Sequence, residues 1–310
     1  MASLRVTFLG PAASFSHQAV LETFGPSVEL HPRPAFADIF SAVQNDAADY
    51  AVVPFENSTN GSVVQTLDLL ADRKGLYRDI TVCGEHFLTV HHCLMRGKTD
   101  TPTTGSGPER YETITKLYTH PQAWGQCEAF LQKYFKGVER QDVSSTSKAA
   151  ELVAADATGQ SAAIASRLAG EYHGAEILEE NIEDQADNTT RFLILRNLRS
   201  ARSANIARYL APKEKGAERR RKTLISFMIE HSAPGALADA LVVFKKHGLN
   251  LTSINSRPSL IRPWQYIFFV ECTPVAGDSD PESMPAFMEE LKTISKSCRN
   301  LGTWRDELPS

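Results

Sequence analysis

Long apolar runs are missing from this 310-residue chain, which argues against a membrane-spanning helix. A strong charge of either sign is missing too. The 33 Lys and Arg stand against 37 Asp and Glu, a net charge of −4, so nucleic acid is not bound through the overall field. Cysteine is sparse. The five thiols (Cys83, Cys93, Cys127, Cys272 and Cys298) are odd in number and include no C-x-x-C pair. That argues against a disulfide framework or zinc knuckle, and for reduced thiols in a cytosolic-type compartment. No Walker A pattern occurs and Gly10 has no G-x-G-x-x-G partners, so nucleotide binding has little support. There is no low-complexity segment and no internal repeat. Met1–Val6 runs straight into a strand pattern without a secretory apolar region, so the expected location is cytoplasmic.

What is present is enough apolar residue, 42%, to bury the cores of two or three domains. From residue 4 to about 198, short β-rich runs alternate with helical patterns, an α/β layered arrangement. Arg5–Gly10 reads as a strand and Ser16–Phe24 as a helix. Phe36, Ile39, Phe40 and Val43 give a one-faced helix. Tyr50–Pro54 reads as a buried strand, and Val64, Leu67 and Leu70 mark a helix. Phe87–Met95 reads as one long strand, a candidate crossover between lobes. Lys116–Tyr118, Ala162–Ala165 and Thr190–Arg196 read as strands, Pro121–Phe135 and Lys148–Ala155 as helices. Residues 201–222 read as a basic linker. From Arg199 to Lys222 there are nine Lys or Arg against two Glu, and the Arg219–Lys222 run fits a solvated connector, an anion patch or a localisation signal. From Thr223 the pattern restarts as βαββαβ, a ferredoxin-like module.

Four turns between predicted strands and helices are rich in small polar residues: Gly10–Ser16, Glu56–Gly61, Thr119–Gln122 and Ser144–Ser147. Helix N-termini present unpaired N–H groups and hold anions. Each turn also fits plain helix capping: Thr119 and Gln122 as a capping box, Ser145 or Thr146 as an N-cap. A fifth feature, Asn188-Thr189-Thr190-Arg191-Phe192, opens an apolar strand. Alternation points Thr190 and Phe192 to one side and Arg191 to the other. In open α/β sheets ligands sit beyond the carboxyl ends of strands, so the turns together describe a cleft for a small polyanion. Glu56 is the one carboxylate in these turns, either a surface residue or one that orients Asn57. His91 and His92 face opposite sides of a strand and are poorly placed to share a metal ion.

These stretches resemble the prephenate dehydratase family. They are Phe8–Pro11 with Ser14–Ser16, Val53–Ser58 with Gly61, His120–Gln122 with Gln126–Cys127, Ser145–Ser147 with Ala149 and Ala150, Ala162–Ser166, and Asn188-x-Thr190-Arg191-Phe192. Pro234–Leu237 and Asn255–Pro258 resemble the two effector signatures of the ACT regulatory domain that follows it. Two positions depart from the family pattern: Ala13 stands where Gly is usual and Asn255 where Glu is usual. The resemblance implies a two-lobed, periplasmic-binding-protein-like catalytic domain over residues 1–200. Lobe one would take 1–85 and 180–200, lobe two 86–179, and the ACT domain 223–310.

The implied reaction converts prephenate to phenylpyruvate, carbon dioxide and water without cofactor or metal. In it Thr190 helps the ring hydroxyl depart. Asn57, Ser58 and Thr59 bind substrate oxygens from lobe one, and Thr119, Gln126 and Ser145 from lobe two. Phe192 packs on the substrate ring or belongs to the core. Arg191 grips a carboxylate or pairs with an acid near Asp184 or Asp187. Gly235, Ala236 and Leu237, with Asn255, Ser256, Arg257 and Pro258, are the implied phenylalanine site, in a homodimer or homotetramer. The alternatives are an arogenate dehydratase and a non-catalytic amino-acid sensor.

Overall fold

The computed structural model describes residues 3–99, 107–204, 206, 221–275 and 283–308. The chain begins with β1 (Arg5–Leu9), α1 (Phe15–Phe24), β2 (Glu29–Arg33), α2 (Phe36–Gln44), β3 (Tyr50–Asn57), a two-residue β4 (Gly61–Ser62), α3 (Val64–Leu70) and β5 (Ile80–Thr89). It crosses to a second lobe: β6 (Cys93–Arg96), a 3-10 turn (Gly107–Tyr111), β7 (Lys116–Thr119), α4 (Pro121–Trp124), α5 (Glu128–Tyr134), β8 (Glu139–Asp142), α6 (Thr146–Ala154), β9 (Ser161–Ala165), α7 (Arg167–His173) and β10 (Glu176–Glu180). β11 (Thr189–Asn197) returns to the first lobe. The third unit is β12 (Arg221–Met228), α8 (Ala236–Lys246), β13 (Leu249–Pro258), β14 (Tyr266–Pro274), α9 (Ser283–Ile294) and β15 (Ser297–Arg305), the expected βαββαβ order.

Three sheets result. The first has strand order β2-β1-β3-β11-β5 with β4 beside β3, the second β10-β6-β9-β7-β8, the third β13-β14-β12-β15. Lobe one therefore runs through Thr89, past the expected boundary at 85. The single long strand expected over Phe87–Met95 is two strands, one in each lobe, separated by residues 90–92. The helix expected over Pro121–Phe135 is also two, because the chain turns at Gly125 before α5 begins.

Alternation along the first sheet builds two cores. Phe192 and Ile194 join Val6, Phe8, Val20 and Tyr50 under α1. Leu193 and Leu195 join Ile39, Phe40 and Val43 of α2 on the other face. That second core does not stop at the lobe, for it also takes in Leu224, Met228, Ile267, Phe269, Leu301 and Trp304 of the third sheet. The third sheet's other face carries Ile225, Phe227 and Val270 against α8 and α9. Its docking brings backbones very close. A Cβ on Gly302 would lie 2.0 Å from the Val82 carbonyl oxygen, so only glycine fits there. Thr81 Oγ1 donates to the Leu301 carbonyl across the same seam, at 3.0 Å.

The described ends of the basic segment are not free linker. Arg202 pairs with buried Asp49, and Tyr50 donates to the Ser203 carbonyl at 2.8 Å. Lys222 is buried within β12 and bonded to Glu85, so it is not part of a solvated basic run. Arg219 and Arg220 lie outside the described residues.

Candidate active site

β11 lies between β3 and β5, antiparallel to both, and its register sets Thr190 opposite Asn57. The Asn57 amide Nδ2 donates to Thr190 Oγ1 at 3.0 Å and to Asn188 Oδ1 at 2.8 Å. Its Oδ1 accepts the backbone N–H groups of Thr59 and Asn60 at 3.0 and 2.9 Å. An asparagine amide has two N–H donors and one carbonyl acceptor, so both are occupied inside the protein. Thr190 thus receives a hydrogen bond on its oxygen and keeps its own proton for the cleft it lines.

That cleft, about 640 Å³, lies between the first two lobes. Thr190 and Phe192 form part of one wall, with Leu9, Gly10, Ser14 and Phe15 beside them. His92, His120, Gln122, Gln126 and Ser144–Thr146 close the other side. Ser14 caps α1 by accepting the His17 N–H, and Ser145 caps α6 by accepting the Lys148 N–H at 3.0 Å. Two helix N-termini, from opposite lobes, therefore open at the cleft. No Lys, Arg, Asp or Glu lines it among the described residues. Burial lowers the pKa of both His92 and His120, which keeps them neutral near pH 7. Hydroxyls, amides and helix ends are what the cleft offers an anion.

The anticipated residues divide accordingly. Thr190, Asn57, Gln126, Ser145 and Phe192 line the cleft. Asn57, expected to touch substrate, instead spends its hydrogen bonds on Thr190 and its own loop. Ser58 and Thr59 are exposed and do not line it: the Ser58 Oγ accepts the Thr189 N–H, and Thr59 Oγ1 points to Gln185 and Asn188. Thr119 is fully buried and donates to the Ile164 carbonyl at 2.7 Å, so its hydroxyl is committed to the second sheet. Arg191 faces away from the cleft. It meets Glu271 of β14 and Glu85 of β5, rather than Asp184 or Asp187, with its guanidinium over the Phe55 ring.

Four further residues line the cleft: His92, which the sequence does not single out for it, and His120, Gln122 and Ser14, to which no site role is assigned there. Three of them stand inside the polar turns already singled out, where the spacing suited capping equally well. His91 and His92 do diverge. His91 Nδ1 and the His92 N–H both bond Glu183, while His92 lines the cleft and its Nε2 lies 2.7 Å from Gln126. No cluster of potential metal ligands occurs among the described residues. Ala13 adopts φ +59°, the left-handed region that favours glycine, with its side chain buried in the second lobe's core. All five cysteines are free, and burial raises the thiol of Cys83 to about 12 and those of Cys93 and Cys298 to about 11, so none is a ready nucleophile.

In the third unit, Gly235 takes φ +83° at the N-cap of α8, with Ala236 and Leu237 half-buried behind it. On the edge strand β13, Asn255 accepts from Ser62 Oγ at 2.7 Å and Arg257 pairs with Asp68. The Pro258 carbonyl accepts from Arg73, while Ser256 is exposed. Three of the seven anticipated effector residues thus bind lobe one directly.

The prephenate dehydratase family model matches residues 6–200, nearly two thirds of the chain. The chain belongs to this family. A bifunctional chorismate mutase/prephenate dehydratase of Aquifex aeolicus is 36% identical over 97% of this chain and 73% of its own length. A probable prephenate dehydratase of Saccharomyces cerevisiae is 34% identical over 97% and 96%. Among solved structures, prephenate dehydratase from Arthrobacter aurescens in complex with L-Phe aligns with a TM-score of 0.78 and 26% identity over 98% and 92% of the two chains. A second, GqqA, described as a novel type of quorum quenching acylase, aligns with a TM-score of 0.76 and 27% identity over 98% of each.

Proposed function

We propose that this chain is a prephenate dehydratase, a carbon–oxygen lyase that turns prephenate into phenylpyruvate, carbon dioxide and water. The observation that carries the reading is Thr190, whose oxygen accepts from Asn57 and which lines a cleft where, among the described residues, no Lys, Arg, Asp or Glu stands. Prephenate is a dianion. Loss of its ring carboxylate as carbon dioxide pushes the bonding electrons into the ring, and the ring hydroxyl departs as hydroxide, which is protonated to water. The product ring is aromatic, so the step runs downhill. The enzyme must hold two carboxylates, orient the ring and assist the departing oxygen. Holding the reactive geometry supplies roughly 7–11 kcal/mol in the best cases. A threonine is too weak an acid to release its proton unaided, so Thr190 acts through a directed hydrogen bond on the leaving oxygen. Gln126, Ser145 and the N-termini of α1 and α6 hold the carboxylates, and Phe192 meets the ring.

An acyl-transfer reading, suggested by the acylase of similar fold, requires a nucleophile beside a base. Among the described residues, no cleft hydroxyl is hydrogen-bonded to a histidine, lysine or carboxylate side chain. Phenylalanine inhibits through the third unit, an ACT-type module. Gly235–Leu237 and Asn255–Pro258 form its site, and subunits pair through the open edge of β13, where Leu251 and Ile254 are exposed.

The test is turnover of the purified chain on prephenate and arogenate, with and without phenylalanine. Phenylpyruvate formation that phenylalanine suppresses is the expected result. Preference for arogenate moves the substrate assignment and keeps the mechanism. No turnover of either, with phenylalanine still bound, leaves an amino-acid sensor.

A further inference from the structure

His92 sits where the chain crosses from lobe one to lobe two, between β5 and β6. The residue is 1% exposed and lines the cleft, its ring edge-on to Phe15 at 5.6 Å. Its backbone is clamped by the returning segment: the His92 N–H bonds Glu183 at 2.8 Å, and the His92 carbonyl accepts the Ile182 N–H at 3.0 Å. One ring nitrogen, Nε2, lies 2.7 Å from Gln126 Oε1. The other, Nδ1, is buried with no hydrogen-bond partner.

These facts fix the tautomer. A buried N–H without a partner is costlier and rarer than a buried lone pair without one, so the proton belongs on Nε2 and the bare lone pair on Nδ1. The Nε2–H then donates to the Gln126 carbonyl oxygen. That contact decides which end of the Gln126 amide is turned away. The NH2 has no partner among the described residues, and Gln126 lines the cleft. Burial, the larger effect, keeps the imidazole neutral despite the nearby Glu183 carboxylate.

We infer that His92 is a positioning residue: its Nε2–H locks the Gln126 carboxamide with the NH2 group toward the cleft, where it donates to a carboxylate oxygen of the bound dianion. Without this lock the amide can rotate and present its carbonyl oxygen, which repels the same carboxylate. A neutral histidine does this without placing a charge in a cleft that no Lys, Arg, Asp or Glu lines among the described residues. The inference rests on the dehydratase reading for the identity of the anion.

The test is a double-mutant cycle with His92→Phe and Gln126→Ala, assayed on prephenate. His92→Phe should raise KM on the order of tenfold, as expected for weakening a hydrogen bond to a charged group, and leave kcat within about threefold. His92→Gln, whose amide nitrogen reaches the Nε2 position, should recover most of that loss. Adding His92→Phe to Gln126→Ala should raise KM no further. A fall in kcat matching the fall in kcat/KM, or KM effects that multiply in the double variant, would overturn the proposal. If the wild-type chain does not turn over prephenate, the dehydratase reading fails and the lock is judged by histidine 15N NMR. A neutral, Nε2-protonated ring near neutral pH, altered in Gln126→Ala, supports it. An Nδ1-protonated or charged ring rejects it.

Discussion

Thr190 depends on what stands behind it. A free hydroxyl rotates and splits its time between donating and accepting. Here the Asn57 amide fills the acceptor side at 3.0 Å, so the proton is left for a ligand. Replacing Thr190 by Ala should cut turnover about 10²–10⁴-fold, the usual range for a positioned proton donor. Stability should fall by only about 1 kcal/mol, since one hydrogen bond is lost at a half-buried position. Steady-state kinetics with a denaturation curve checks both, and a variant keeping more than about a tenth of wild-type turnover would remove Thr190 from the mechanism. Alternation along an apolar strand shows that Thr190 and Phe192 share a face, while the donor role of Thr190 comes from the family resemblance alone. The fate of Thr119 was not legible in the sequence. Whether a hydroxyl faces a ligand or a neighbouring strand's carbonyl depends on packing that local spacing does not contain.

β11 is the element that faces both ways. Its cleft side carries Thr190 and Phe192, and its other side carries Arg191 into a buried cluster of charges. Arg191 Nε lies 2.9 Å from Glu85, and the guanidinium also meets Glu271. Lys222 of β12 holds Glu85 at 3.1 Å and Asp306 at 3.0 Å. Glu271 and Lys222 belong to the third sheet, so the strand that presents Thr190 is bonded to that unit through its very next residue. Buried ions tolerate the loss of a partner poorly, because the remaining charge stays desolvated. Glu271→Gln should therefore destabilise the chain by about 3 kcal/mol, read as a lower urea midpoint at unchanged slope. An unchanged midpoint would mean that Glu85 alone satisfies Arg191. The sequence showed that Arg191 turns away from Thr190, but its true partner is 80 residues distant, so an acid nearby in sequence was the natural guess. Elements with an apolar period were readable: β1, β3, α2, β11 and the βαββαβ module. β8 was not, for its Glu139–Asp142 run is exposed throughout and has no apolar face to count. The crossing between lobes lies within the expected Phe87–Met95 stretch, but as a break at residues 90–92 between two strands, which only hydrogen bonding shows.

At the scale of the whole molecule, three units share two seams, and one of them is guarded by neutral histidines. His17 lies under the turn that enters the cleft. Its Nδ1 accepts the Ala13 N–H at 2.9 Å, and its ring stacks on Phe8. His92 and His120 line the cleft, and His173 Nε2 lies 3.0 Å from Ser147, whose hydroxyl donates across the lobes to the Ala12 carbonyl. Burial lowers the pKa of all four. The unfolded chain therefore takes up protons first as pH falls below about 6.5, while the native chain resists. Stability should be level above that pH and should fall as pH drops from there through the lowered native values. A second loss is expected at lower pH. Burial opposes the charge of Asp49, but hydrogen bonds from Arg202 and Arg5 outweigh it and hold its pKa well below the ordinary range. Glu183 is lowered likewise, with the His92 N–H and His91 overcoming its burial. Both directions agree, so acid should weaken the chain in two stages, histidines before carboxylates. Protonation of His17 removes the acceptor for the Ala13 N–H, and that turn should loosen in the first stage. Urea midpoints at about pH 7.5, 6.5 and 5 give the measurement, with amide hydrogen exchange at Ala13 reporting the turn. Equal midpoints at about pH 7.5 and 5 would mean that these rings titrate alike in the folded and unfolded chain, and that the cleft's neutrality near pH 7 owes nothing to burial.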